Sequence, residues 1–252
     1  IERTEFKLAK KSSGSNLLRG KVTLVTGASR GIGLALAHAV AEQGCELVVT
    51  ARDKNTLDKL KRQLDHQKPE ALIQPCDIRD PASIDRLMSA VKKQFGRVDV
   101  LINNAGIAHA QANVDELAIS LWQEVIETNL TGMFLVTRAA LALMNRGSAI
   151  VNNLSISAKR VFPGSSAYNA SKHGALGLTN TLREELRPRG IRVIALLPGA
   201  TDTDIWNTLW REAPRQKMMK AETVARAVVN ALCVPAEGTV EELVILPASG
   251  TL

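Results

Sequence analysis

The sequence predicts a single α/β domain, a three-layer α/β/α sandwich around a parallel sheet of about seven strands. Three observations carry this. Apolar runs of strand length alternate with helical patterns from Lys21 to Leu246. The runs are continuous in Val, Ile and Leu, as in strands covered on both faces. The connections between them are long enough to be crossover helices, which force parallel pairing of the right hand.

The elements follow in order. A strand over 21–26 (KVTLVT) leads into a helix over 31–43 with Ile32, Leu36, Ala39 and Val40 on one face. A second strand over 46–50 ends at Ala51-Arg52-Asp53, and a helix over 55–67 carries Leu57, Leu60 and Leu64 at helical spacing. A short third strand covers 71–75. Asp80 before Pro81 is a helix start, a capping acceptor followed by a residue whose missing N–H costs nothing there. That helix runs to Phe95 and stops at Gly96. A fourth strand covers 98–102, a long helix 117–144, a fifth strand 149–154 and a helix 167–187. The chain then gives a strand over 191–197, a helix over 222–233 and a last strand over 242–246. No internal repeat or linker divides it. Residues 1–20, rich in Lys, Ser, Gly and Asn, read as a flexible N-terminal tail before a domain over 21–252.

Composition narrows the function classes. An apolar share of 45% and a charged share of 23% are those of an ordinary globular protein. At 3% aromatic residues, stacking platforms for single-stranded nucleic acid are not suggested. The formal charge of +7 is dispersed, apart from Lys7, Lys10 and Lys11, and reads as a solvated surface with some steering toward an anionic cofactor rather than a nucleic-acid site. Cys45, Cys76 and Cys233 have no zinc-ligand spacing and no disulfide framework, and the four histidines have no paired ligand spacing, so no metal is expected. No run approaches the roughly 18 apolar residues of a membrane span, and residues 1–20 lack the apolar core of a secretory signal. A cytoplasmic protein is expected.

The first strand runs into Thr26-Gly27-Ala28-Ser29-Arg30-Gly31-Ile32-Gly33 and then a helix. Glycines here permit a tight turn and close approach to a pyrophosphate, with free N–H groups and the positive helix end facing it. The spacing Gly-x-x-x-Gly-x-Gly departs from the G-x-G-x-x-G fingerprint, so the position in the fold carries the argument. An acidic residue at the end of the second strand would select the ribose hydroxyl of NAD, whereas arginine accommodates a 2′-phosphate. Arg52 stands there, no carboxylate precedes it, and Arg30 lies in the glycine turn. Two guanidinium groups could clamp one phosphate, although Asp53 could instead pair with Arg52. NADP(H) is expected over NAD(H).

The turn Thr26 to Gly33, the tetrapeptide Asn103-Asn104-Ala105-Gly106 after the fourth strand and Tyr168-Asn169-Ala170-Ser171-Lys172 together resemble the short-chain dehydrogenase/reductase family, with its Rossmann-like fold. The resemblance covers nearly everything from Lys21 to Leu246. It implies a four-residue catalytic set of Asn129, Ser155, Tyr168 and Lys172. Independently of it, Tyr168 and Lys172 are four apart on one helix face, where an ammonium would stabilise phenolate and lower the tyrosine pKa. Ser155 stands thirteen residues before Tyr168, the family's interval, with Ser157 the rival nearby. Its hydroxyl would hold the substrate oxygen. Asn129 is a poor residue for a helix interior, and the resemblance gives it a water held in line with Lys172.

The resemblance also implies cofactor contacts beyond Gly27, Ser29, Arg30, Gly31, Ile32, Gly33 and Arg52. Asp77 and Ile78 after the third strand meet the adenine. Asn103, Asn104, Ala105 and Gly106 support the adenine side of the cleft. Pro198, Gly199, Thr201 and Thr203 meet the carboxamide, and Tyr168 and Lys172 the ribose. The partner is a small carbonyl or alcohol substrate, with no nucleic acid and no membrane. By the same resemblance the chain forms a homodimer or homotetramer through its two long helices. The segment 204–220, with Ile205, Trp206, Leu209, Trp210, Met218 and Met219, is expected to form much of the substrate wall and makes an apolar substrate plausible, although these residues could equally belong to the core or a subunit interface. A non-catalytic NADP(H)-binding redox sensor is the alternative on the same fold.

Overall fold

The computed structural model describes residues 17–64 and 71–250. Of the expected tail, residues 1–16 lie outside the described residues, as do 65–67 of the predicted second helix. Residues 17–20 form a turn whose Leu18 is buried in the core, and the Leu18 carbonyl accepts from Cys45 Sγ at 3.3 Å. The packed fold therefore takes in these four residues, which their polar neighbours in the sequence conceal.

The strands are β1 (Val22–Thr26), β2 (Glu46–Thr50), β3 (Leu72–Ile73), β4 (Val100–Asn103), β5 (Ala149–Asn153), β6 (Arg192–Pro198) and β7 (Glu242–Ile245). They form one parallel sheet of seven in the order β3-β2-β1-β4-β5-β6-β7. Val22 to Thr26 are all buried, as strands between two helical layers require. The helices are α1 (Gly31–Glu42), α2 (Lys54–Leu64), α3 (Pro81–Phe95), α4 (Ile119–Ile126), α5 (Gly132–Ala140), α6 (Ser166–Leu186), α7 (Trp206–Leu209) and α8 (Ala221–Leu232). One core cluster lies between the sheet and α1, α2 and α8, a second between the sheet and α3, α5 and α6, and a smaller third joins Met133 and Ala175 to Ala195 and Leu197 of β6.

Local chemistry sets the element ends. The Asp80 carboxylate accepts from the N–H groups of Ala82 at 3.0 Å and Ser83 at 3.1 Å, with Pro81 in the first turn, and Gly96 ends α3 at φ 70°. The predicted long helix is present but interrupted. Between α4 and α5, Glu127–Thr131 form a π-helical turn that contains Asn129. Such an inserted residue is rare and gathers at functional sites.

The order reverses between β1 and β4, whose carboxyl ends open a crevice where folds of this kind bind ligands. Below that edge a polar ladder crosses the core. Asn103 Nδ2 donates to Thr137 Oγ1 and Asn152 Oδ1, both at 2.9 Å, and Asn152 Nδ2 donates to Thr179 Oγ1 at 2.9 Å. It ties α5 and α6 to β4 and β5, and so fixes the helix that carries Tyr168 and Lys172.

Candidate active site

A cleft of about 840 Å³ runs along the carboxyl edge of the sheet, lined by the ends of β2, β5 and β6, the segments that follow β1 to β6, and Tyr168 and Lys172 of α6. At one end lies the glycine turn. Gly27 has φ 62°, and a Cβ on it would lie 2.7 Å from the Ala105 Cα. A Cβ at Gly33 would lie 2.2 Å from the Gly27 carbonyl oxygen and 2.3 Å from Asn104 Nδ2. Only glycine fits between the turn and the loop after β4. Asn104 Nδ2 donates to the carbonyls of Thr26 and Gly27, each at 3.0 Å, and Thr26 Oγ1 accepts from the N–H groups of Asn104 and Ala105.

The start of α1 at this turn is capped by no side chain and has no acidic residue in its first turn. Its N–H groups and positive dipole end are thus available to an anion. This cradle, closed to any side chain but lined by backbone donors, fits a pyrophosphate. Arg30 is exposed and sits 4.0 Å from Asp204, a loose surface pair. Arg52 is exposed and makes no ion pair among the described residues. Asp53 does not compete for it. Its carboxylate caps α2 by accepting from the N–H groups of Asn55 and Thr56 and the Thr56 hydroxyl, which holds it below the usual carboxylate range. Asp77 lines the cleft and is bound by Arg79 at 2.7 Å, the chief cause that lowers its pKa.

The other expected cofactor positions also line this cleft. Ser29, Gly31, Ile32, Ile78, Gly106, Pro198, Gly199, Thr201 and Thr203 are all on its wall. Thr203 faces the turn closely enough that a Cβ on Gly31 would lie 3.0 Å from its Cγ2. Asn103 is the exception. Its side chain points into the polar ladder beneath, so it supports the cleft without lining it.

At the other end the four catalytic candidates converge. The Tyr168 phenol is buried and lines the cleft together with Ser155. The Lys172 ammonium lies 5.5 Å from the Tyr168 ring centroid and donates to the Asn153 carbonyl at 3.2 Å. Ser157, the rival serine, is bonded through its N–H and hydroxyl to Ser155 Oγ and so positions it. Asn129 does not stand free in a helix. Its Oδ1 accepts from Ile107 N–H at 2.8 Å, and its Nδ2 donates to the Ile107 carbonyl at 2.8 Å and to Ser171 Oγ at 3.0 Å. The π turn thus lets one amide clamp the loop after β4 onto α6.

Burial rather than the lysine governs the tyrosine. It pushes the Tyr168 phenol above its ordinary range, and the Ser155 hydrogen bond works against that. The lowering expected from Lys172 is not what results, and the same burial pulls the lysine itself down to about 8. Two further findings escaped sequence reasoning. Asn153 Nδ2 donates to Asn104 Oδ1 at 2.8 Å, so one residue links the Lys172 anchor to the glycine turn. Phe162, Pro163 and Gln111 also line the cleft, carried by loops joined through Ala112 N–H and the Gly164 carbonyl at 3.0 Å. Of the expected substrate wall, Ile205, Trp206, Leu209 and Trp210 line the cleft, whereas Met219 packs into the core beside α8 and Met218 is not on the wall.

Asn129→Ala removes three hydrogen bonds and leaves both Ile107 backbone groups without their partner. The expected loss is about 2–3 kcal/mol, read as a melting temperature roughly 5–10 °C lower in thermal unfolding followed by circular dichroism. An unchanged melting temperature would remove the clamp.

Comparison with known proteins bears on most of the chain. The family description "short chain dehydrogenase" matches residues 21–214. A 3-oxoacyl (acyl-carrier-protein) reductase of Synechocystis sp. is 37% identical over 195 residues, 76% of this chain and 78% of that protein. A substituted actinorhodin polyketide ketoreductase, solved with NADPH, superposes with a TM-score of 0.80 at 35% identity, over 90% of this chain and 96% of that one. A 3-ketoacyl (acyl-carrier-protein) reductase of Brucella melitensis, solved with NADH, gives 0.83 at 30% identity, over 92% and 98%.

Proposed function

The chain belongs to the short-chain dehydrogenase family, and from that premise we propose that it transfers hydride between NADP(H) and a carbonyl or alcohol substrate. One observation carries the reading. Ser155, Tyr168 and Lys172 line one cleft, with the Lys172 ammonium 5.5 Å from the Tyr168 ring centroid, and the same cleft holds a glycine cradle fit for a pyrophosphate.

In the reducing direction a bound NADPH supplies the hydride that the carbonyl carbon accepts. The carbonyl oxygen receives hydrogen bonds from Ser155 and Tyr168, and Tyr168 gives it the proton as charge develops. The products are the alcohol, the oxidised cofactor and a Tyr168 that must regain one proton. Lys172 binds the nicotinamide ribose and resupplies that proton through a water held beside Asn129. The backbone at Gly27, Ser29, Gly31, Ile32 and Gly33 holds the pyrophosphate. Asp77 and Ile78 flank the adenine, with Asn104, Ala105 and Gly106 on the same side and Asn103 supporting them from below. Pro198, Gly199, Thr201 and Thr203 meet the carboxamide. The catalytic unit is the domain expected over 21–252 together with the turn at 17–20, acting in the cytoplasm as a homodimer or homotetramer.

Arg52 and Arg30 favour the 2′-phosphate of NADP(H). Relatives have been solved with NADPH and with NADH, so the preference rests on these two side chains. Arg52→Asp should weaken NADPH binding about 10- to 100-fold, the loss of one charge-assisted pair and its replacement by repulsion, while NADH binding improves or holds. Cofactor fluorescence titration reads both, and an unchanged ratio would sink the preference alone. The sensor reading predicts tight NADPH binding with no oxidation on any member of a ketone panel.

A further inference from the structure

The substrate half of the cleft has its own chemistry. β5 lies between β4 and β6 in the sheet, so Ser155 at its end stands between the loop after β4 and the segment after β6. The segment after β6 is held rigidly. Trp206 Nε1 donates to the Thr201 carbonyl at 2.9 Å, and Arg215 binds the Thr203 carbonyl, Asp202 and Asn207 at 2.7, 2.8 and 2.9 Å. On the other side the loops around Gln111 and Phe162 are knit by the Ala112–Gly164 bond and by a bridge between Ala112 and Ser165. Both walls are thus pre-formed.

Among the described residues, the cations that line the cleft are Arg30, Arg52 and Lys172. Arg30 and Arg52 follow β1 and β2, at the phosphate end. Lys172 is buried and bonded to Asn153. Arg215, which pins the wall, has both its terminal nitrogens engaged. No cation on this wall is left for a substrate carboxylate or phosphate, and an unpaired anion is costly to desolvate.

We propose, resting on the carbonyl-reduction reading, that the substrate is uncharged and largely apolar, its chain held against Ile205, Trp206, Leu209 and Trp210 on one side and Phe162 and Pro163 on the other. Free oxo acids and sugar phosphates are excluded, whereas a ketone, an oxo ester or an oxo thioester enters by the same contacts. The reaction is the one balanced above: the carbonyl gains a hydride at carbon and a proton at oxygen, and the cofactor is oxidised.

The test compares methyl 5-oxohexanoate with 5-oxohexanoate, and 2-pentanone with its homologues to 2-nonanone, by NADPH oxidation with the full chain. The ester should exceed the acid at least 100-fold in kcat/KM. Each added methylene should raise kcat/KM about two- to fourfold until the wall ends. Quenching of tryptophan fluorescence by 2-octanol but not by octanoate, with cofactor bound, reads the same walls without turnover. Trp210 is 41% exposed, so Trp210→Arg is tolerated sterically and should raise the acid-to-ester ratio tenfold or more. Equal rates on acid and ester, or a flat homologue series, would overturn the proposal and leave carbonyl reduction standing. An N-acetylcysteamine 3-oxo thioester preferred over the ester by a large factor would identify the thioester as the neutral form used. Tight NADPH binding with no oxidation by any carbonyl would overturn the carbonyl-reduction reading itself, and this proposal with it.

Discussion

Tyr168→Phe should lower kcat by about 10³-fold, the range that one positioned proton donor contributes, while the dissociation constant for NADPH moves less than about threefold. The substitution removes one oxygen and keeps the ring against which Lys172 lies. The pH dependence follows from the direction of the shift. Burial raises the phenol pKa and the Ser155 hydrogen bond only opposes it, so the phenol stays protonated through neutral pH. Carbonyl reduction, which needs the proton, should be level through neutral pH and fall only above the phenol's raised value. Alcohol oxidation needs phenolate as base and should climb with pH throughout the neutral and mildly alkaline range. Initial rates in both directions from pH 6 to 10 on wild type and Tyr168→Phe read this. Residual activity above about a tenth in the variant would remove Tyr168 as the proton donor.

The features legible in the sequence are those set by neighbours along the chain. Asp80-Pro81 and Gly96 announce α3 because capping is local chemistry. Tyr168 and Lys172 are paired by helical period alone, and the continuous Val/Ile/Leu runs give the buried strands. What was hidden depends on partners distant in sequence. The π turn at Asn129 exists because its amide meets Ile107 and Ser171, 22 and 42 residues away. Asn153 reads as a strand residue until Asn104 comes beside it. Leu18 belongs to a lone Leu-Leu pair at the end of a polar stretch and is buried by contact with the region around Cys45. Met219 has the apolar character of the substrate wall but pairs its backbone with Ala200 and Asp202, which turns it toward the core. The direction of the Tyr168 shift was missed for the same reason: spacing brings the charge near, but burial, which spacing does not report, decides its sign.

Lys172→Met should stabilise the free protein at neutral pH while lowering turnover at least about 100-fold, because in the proposed mechanism it removes the cation that would bind the ribose and feed the proton. The stability argument is a competition. Burial lowers the lysine from 10.5 to about 8, a gap that corresponds to about 3 kcal/mol borne by the folded state whenever the group is charged in both states. Against it, methionine leaves the Asn153 carbonyl without its donor, worth about 1 kcal/mol, and gives up the contact with the Tyr168 ring. The burial cost wins below pH 8, so the variant should melt roughly 4–8 °C higher at pH 7. The sign reverses at high pH. Because the folded pKa lies below the unfolded one, the stability linked to this group is present above about 10.5 and lost as pH falls through about 8. Between these values the wild type gains on the variant, and above pH 10.5 only the lost hydrogen bond and ring contact remain, leaving the variant the less stable of the two. Thermal unfolding of both proteins at pH 7, 9 and 10.5, without cofactor, reads the crossing directly. A difference in melting temperature that does not change with pH would mean that Lys172 carries no burden from burial, and that its place over Tyr168 costs the fold nothing.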